Sequence, residues 1–137
     1  MISKTRMLLA LAAVAGLVAV PTALARASHT AGTVVTVTAG KPSTFSFTLS
    51  TKTVKHGTVT FKVTNGDSTG LPHDFKVCSK PSASAAANSC AGKVTPSLGK
   101  GASATLTVTF AKPGTYEYLC TIPGHAAGGM KGLLKVT

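Results

Sequence analysis

The chain has 137 residues, 44% of them hydrophobic, and 14 Lys and Arg against 3 Asp and Glu give a formal net charge of +11. That length suits one domain. The lysines are spread singly, without a basic helix or a pattern of base-stacking aromatics, which argues against nucleic acid and leaves solubility, an acidic protein partner, or an anionic wall or lipid surface.

The first segment runs from a basic head, Met1 to Arg6, through an uncharged stretch, Met7 to Val20, to Pro21 and Ala23-Leu24-Ala25. This order of basic, apolar and small-residue regions reads as a secretory signal peptide over residues 1–25. The apolar stretch is shorter than the roughly 20 residues of a membrane span. Cleavage is expected after Ala25, with Ala27 as the alternative and an uncleaved anchor as a third option. No Cys follows the cleavage point and no twin Arg precedes it, so general export without a lipid anchor is expected. The mature chain of 112 residues would carry a charge of +9, Lys4 and Arg6 having left with the signal. It is expected in the periplasm, outside the cell or at its surface, with no stable membrane insertion, and as a monomer.

Residues 26–32 form a short polar lead, and residues 33–137 read as one domain of short strands parted by turns. Thr33 to Thr38 alternates Thr with Val, and Ala39-Gly40-Lys41-Pro42 turns the chain. Phe45, Phe47 and Leu49 fall on one face of the next run. Val59, Phe61 and Val63 alternate with polar residues, Asn65-Gly66-Asp67 opens a loop that ends at His73, and Phe75 and Val77 continue from it. An Ala- and Ser-rich stretch follows, with room for one helical turn at Ser84 to Asn88. Ala104, Leu106, Val108 and Phe110 then face inward, and Lys112-Pro113-Gly114 leads to a strand that ends at Cys120. Period-two alternation, Thr and Val enrichment and a turn every 8–12 residues predict an all-β fold, an antiparallel Greek-key β-sandwich.

The most informative stretch is Gly114 to Met130, which holds Cys120, His125 and Met130 at C-x4-H-x4-M spacing in a loop rich in Gly and Pro. A thiolate, an imidazole and a thioether suit copper, and a Cys with two His and a weak axial Met marks a one-electron copper site. That donor set requires a second His. His73, which follows Gly70-Leu71-Pro72 and opens an apolar run, supplies it. Taken singly, a Cys or Met is more often a buried hydrophobe and a His near a turn a solvated side chain. Four such donors in this order are a different matter. His29, in the lead, and His56, in a hairpin turn beside Lys55, are expected to be solvated.

On Pro72-His73, Gly114-x-Tyr116-x-Tyr118-x-Cys120, Pro123-Gly124-His125 and Gly129-Met130-Lys131-Gly132, the chain resembles the cupredoxins, the blue-copper family of plastocyanin, azurin, auracyanin and rusticyanin. The C-x4-H-x4-M loop is similar to that of auracyanin and rusticyanin. The resemblance implies a cupredoxin-like sandwich and one type 1 copper ion bound by His73, Cys120, His125 and Met130. It also implies an exported carrier of single electrons, not an enzyme, that meets redox protein partners through an apolar patch at the edge of His125. Leu71, Pro72, Pro123, Ala126 and Ala127 are the candidates for that patch. The alternative is a copper-handling protein that sequesters or delivers the ion. Many relatives carry Asn directly after the first His; here Asp74 stands, and it is expected to accept from Thr121 beside the site. With Cys120 assigned to the metal, Cys78 and Cys90 remain, and export makes a disulfide between them the favoured reading over further metal ligation.

Overall fold

The computed structural model of the chain describes residues 32–137. The expected signal peptide and its cleavage point, all but the last residue of the polar lead, and His29 lie outside the described residues. Nine strands follow in order: β1 Thr33–Ala39, β2 Phe47–Leu49, β3 Thr53–Val54, β4 Gly57–Asn65, β5 Lys76–Pro81, β6 Gly92–Val94, β7 Ser103–Phe110, β8 Gly114–Leu119 and β9 Lys131–Val136. They form a four-stranded sheet ordered β2-β1-β4-β7 and a five-stranded sheet ordered β3-β9-β8-β5-β6. There is no helix among the described residues, and Ser84 to Asn88 forms bends with no helical turn. Lys131 Nζ, which donates to Ala86 O, Ala87 O and Asn88 Oδ1, meets that stretch's polar groups from outside.

The expected sandwich is present, with both sheets mixed. Most pairings are antiparallel, but β1 pairs parallel to β4 over seven residues and β3 pairs parallel to β9. The β1 strand turns back at its end into β2, which covers only Val37 to Ala39. The opposite edge of β1 pairs with β4, which runs the same way. The β4–β7 pairing is antiparallel and runs the length of the sheet, from Gly57↔Phe110 to Thr64↔Ser103.

Alternation places Val35, Val37, Val59, Phe61, Val63, Leu106, Val108 and Phe110 inward from one sheet. Phe75, Val77, Tyr116, Tyr118, Leu134 and Val136 meet them from the other. Aromatic rings cross the interface edge-on, Phe47 on Phe75 at 5.2 Å and Phe110 on Tyr116 at 4.8 Å between centroids. The Tyr116 hydroxyl donates to Lys112 O at 3.0 Å, so its one polar atom is satisfied at the core's rim.

The β8 strand sits between β9 and β5 and is buried on both faces. Tyr116 and Tyr118 point into the sandwich, as does Cys120 just past the strand's end. On the other face, Leu119 packs with Cys78 and Ala126 into a small second cluster flanked by Cys90. Cys78 and Cys90 are joined by a disulfide that closes the loop over this face. The strand that presents Cys120 is therefore held from both sides.

Candidate metal centre

His73, Cys120, His125 and Met130 gather at one end of the sandwich, where β4 and β8 finish and β9 begins. His73 lies in an isolated bridge with Leu98, its N–H donating to Leu98 O at 3.0 Å and its carbonyl accepting from the Leu98 N–H at 2.8 Å. Asn65, buried at the end of β4, donates its Nδ2 to both Leu71 O and Leu98 O, which ties the loop before His73 to the segment between β6 and β7 that pairs with it. The ligand loop is closed at its base by Cys120 N–H to Met130 O at 3.0 Å and by Met130 N–H to His125 O at 2.9 Å. Gly124 and Gly129 adopt φ of 84° and 106°, left-handed values that side chains rarely take, which lets the loop from Cys120 to Met130 fold back so tightly.

Three of the four side chains converge on one point. The donor atoms of His73, Cys120 and His125 all lie within 4.8 Å of one another. His73 Nδ1 and His125 Nδ1 face each other at 3.2 Å, and Cys120 Sγ lies 3.6 Å from His125 Nδ1. All three residues are buried, and Met130 is fully buried in the same core cluster. Burial pushes the Cys120 thiol up to about 11 and lowers His125 below the usual imidazole value. Two imidazole Nδ1 atoms gathered with a buried thiol fit a soft metal ion that displaces the thiol proton.

Two carboxylates back this cluster. Asp74 Oδ1 accepts from Thr121 N–H at 2.6 Å and Oδ2 accepts from the Thr121 hydroxyl, so the residue after His73 is tied to the residue after Cys120. Asp67 Oδ2 lies 3.2 Å from His73 Nε2. Thr69, through its backbone N–H first and then its hydroxyl, holds Asp67 down at about 2. In the sequence, Asp67 stands out only as part of a loop. The signal for it is weak: an Asp two residues before a Thr, the pattern of a side-chain-capped turn, six residues ahead of a ligand His.

The exposed edge of the site differs from the sequence expectation at two residues. Ala126 is 3% exposed and packs against Leu119 and Cys78, so it belongs to the second cluster and not to the surface patch. Phe45, placed by alternation with Phe47 and Leu49, lies before β2 begins and does not face the core. Its ring stands edge-on against His125 at 5.0 Å between centroids, and it is 40% exposed where His125 is 7%. At Gly128 an added Cβ would sit 3.3 Å from both the Phe45 ring and Gly124 O. Leu71, Pro72, Pro123 and Ala127 are exposed as expected. His56 is exposed and bonded to Thr137 O, and is not one of the gathered donors.

Residues 33–137 match the family described as copper binding proteins, plastocyanin/azurin family. Auracyanin-B of Chloroflexus aurantiacus is 51% identical over 43 residues, which make up 31% of this chain and 18% of that protein. The match thus spans less than a fifth of that relative. Reduced auracyanin from Roseiflexus castenholzii superposes with a TM-score of 0.60 at 26% identity, over 77% of this chain and 96% of that one. Rusticyanin from Thiobacillus ferrooxidans gives 0.51 at 27% identity, over 76% of each chain.

Proposed function

The chain belongs to the plastocyanin/azurin family of copper-binding proteins, and we propose on that basis that it is an exported carrier of single electrons between redox proteins. The observation that carries this reading is the convergence of two imidazole Nδ1 atoms and one buried thiol on a single point. His73, Cys120 and His125 would hold the ion as strong donors, with Met130 as a weaker fourth. Bound copper, one type 1 ion, supplies a one-electron couple between Cu(I) and Cu(II).

The chain's own residues supply rigidity. His73 is held by its bridge to Leu98, Cys120 by the closed loop base, and both loops by Asp74 on Thr121. Donors fixed this way move little when the ion's charge changes, which favours fast exchange over substrate chemistry. His125, with Phe45 against its ring and the exposed Leu71, Pro72, Pro123 and Ala127 on the two ligand loops, marks the side through which an electron would enter and leave. Met130 is the only methionine among the described residues, which counts against a copper carrier of the Met-rich kind.

Charge suggests the partner. Asp67, Asp74 and Glu117, the only acidic side chains in the sequence, are each at most 5% exposed. No side-chain carboxylate therefore faces solvent to oppose the lysines, and an acidic redox protein is the partner that this surface favours.

The test is titration of the purified protein with Cu(II). An intense visible charge-transfer band that a reductant bleaches and an oxidant restores supports the carrier reading, and Cys120→Ser should abolish it. Tight Cu(I) binding without a reversible Cu(II) state would instead support copper handling.

A further inference from the structure

Of the two carboxylates at the metal centre, Asp67 is the one hydrogen-bonded to a ligand imidazole. We propose that Asp67 is the positioning residue for His73: it holds the imidazole by Nε2–H, so that Nδ1 is left unprotonated toward the metal, and its charge favours the oxidised ion. The proposal rests on the copper reading above for the second half of that statement and on geometry alone for the first.

His73 Nε2 and Asp67 Oδ2 lie 3.2 Å apart, with the side chains 0% and 1% exposed. On the opposite edge of the same ring, Nδ1 faces His125 Nδ1 at 3.2 Å. An imidazole that donates from Nε2 to a carboxylate keeps its lone pair on Nδ1, and a ligand so backed is both oriented and made more basic. Asp67 is itself fixed for this task. Thr69 N–H donates to Oδ1 at 2.9 Å, the Thr69 hydroxyl to Oδ2 at 2.7 Å, and the Asp67 N–H to Asn65 Oδ1 at 2.9 Å. The turn after β1 closes over it, since a Cβ on Gly40 would come within 2.5 Å of the Asp67 Cβ. Asp74, by contrast, spends both oxygens on Thr121. The carboxylate directly after His73 thus ties the two loops, and the one held in the preceding loop meets the imidazole.

A negative charge hydrogen-bonded to a ligand stabilises Cu(II) more than Cu(I), so removing it should raise the reduction potential. Asp67→Asn keeps the shape and an acceptor for Nε2–H while removing the charge. Asp67→Ala removes both. Nitrogen-resolved NMR of the metal-free protein should find His73 protonated at Nε2 in the wild type, still so in Asp67→Asn, and a mixture of tautomers in Asp67→Ala. Loss of such a backing group costs roughly 10–100-fold in metal affinity. Each tenfold lost from Cu(II) alone raises the potential by about 59 mV. Voltammetry should therefore show both variants above the wild type, with the Asp67→Ala band retained but its Cu(II) affinity lowered. A wild-type potential in Asp67→Asn, or a His73 tautomer in Asp67→Ala equal to the wild type's, overturns the proposal. If Asp67→Ala does not fold, the tautomer is read on Asp67→Asn and on a double variant, Asp67→Asn with Thr69→Ala. There, loss of Nε2–H from His73 while the introduced amide stays in place overturns it equally. A wild-type protein that gives no reversible couple would refute the copper reading and leave the NMR result to decide the role of Asp67.

Discussion

At the scale of single residues, the site is a set of donors whose roles are separable by substitution. Met130 is fully buried beside the loop base that its own backbone closes, so Leu fits its space with little disturbance. Met130→Leu should keep copper and the visible band but raise the potential, because a donor that favours Cu(II) is gone; voltammetry showing a lower potential would count against an axial thioether. Asp74 plays a structural part through Thr121. Removing a charged hydrogen-bond acceptor costs about 1.5–3 kcal/mol, so Asp74→Ala should lower the stability of the metal-free protein by that order and speed hydrogen exchange at the Thr121 amide. Unchanged exchange at that amide would mean the two loops are held together by other contacts.

At the scale of elements, β8 is the frame of the site, and its outer face is covered by the loop that the disulfide closes. Cys78 and Cys90 are 12 residues apart, and a closed loop near that size is worth about 3 kcal/mol in the chain-entropy model. The variant with both replaced by Ala should lose stability of that order and loosen Leu119 and Ala126, which pack on the bridge. Mass spectrometry of the oxidised wild type should find these two linked and Cys120 free; a link to Cys120 would contradict the metal assignment. On the same face, Glu117 Oε1 is buried without a hydrogen-bond partner. Such a group costs about 1–3 kcal/mol, so Glu117→Met should raise the midpoint of chemical denaturation, and a lowered midpoint would show that the carboxylate is satisfied in solution.

At the scale of the whole molecule, the burial of every acidic side chain makes the surface electrostatically one-signed. Lys41 and Lys100 lie near the site: an added Cβ on Gly66 would meet the Lys41 side chain, and Lys100 Nζ donates to Ser68 O. Surface charges steer encounter and are screened over about 8–10 Å at physiological salt. Electron exchange with an anionic redox protein should therefore slow as ionic strength rises, whereas exchange with a cationic one should speed up. Changing Lys41 and Lys100 to Glu should slow the first reaction and flatten its salt dependence. Stopped-flow rates that ignore both salt and these substitutions would remove charge from the account of partner choice.

Much of this was legible in the chain itself, and the division has a physical cause. Alternation reports which side of one strand meets solvent, and it located the inward residues of β1, β4 and β7, where one face is buried and the other wet. Donor identity and spacing are local too, so Cys120, His125 and Met130 stand out within one loop, and His73 follows from what such a loop lacks. In β8, buried on both faces, alternation put Tyr116, Tyr118 and Cys120 on one side without showing that the other side is covered too, and it misled at Phe45, where an apolar residue continues a strand's rhythm before the strand has started. The parallel pairing of β1 with β4 and the positions of Asp67 behind His73 and Phe45 against His125 depend on segments brought together by the sandwich. Residue type within a short window carries no term for such contacts. Only closing the two sheets decided which carboxylate reaches the imidazole and which side chain shields it.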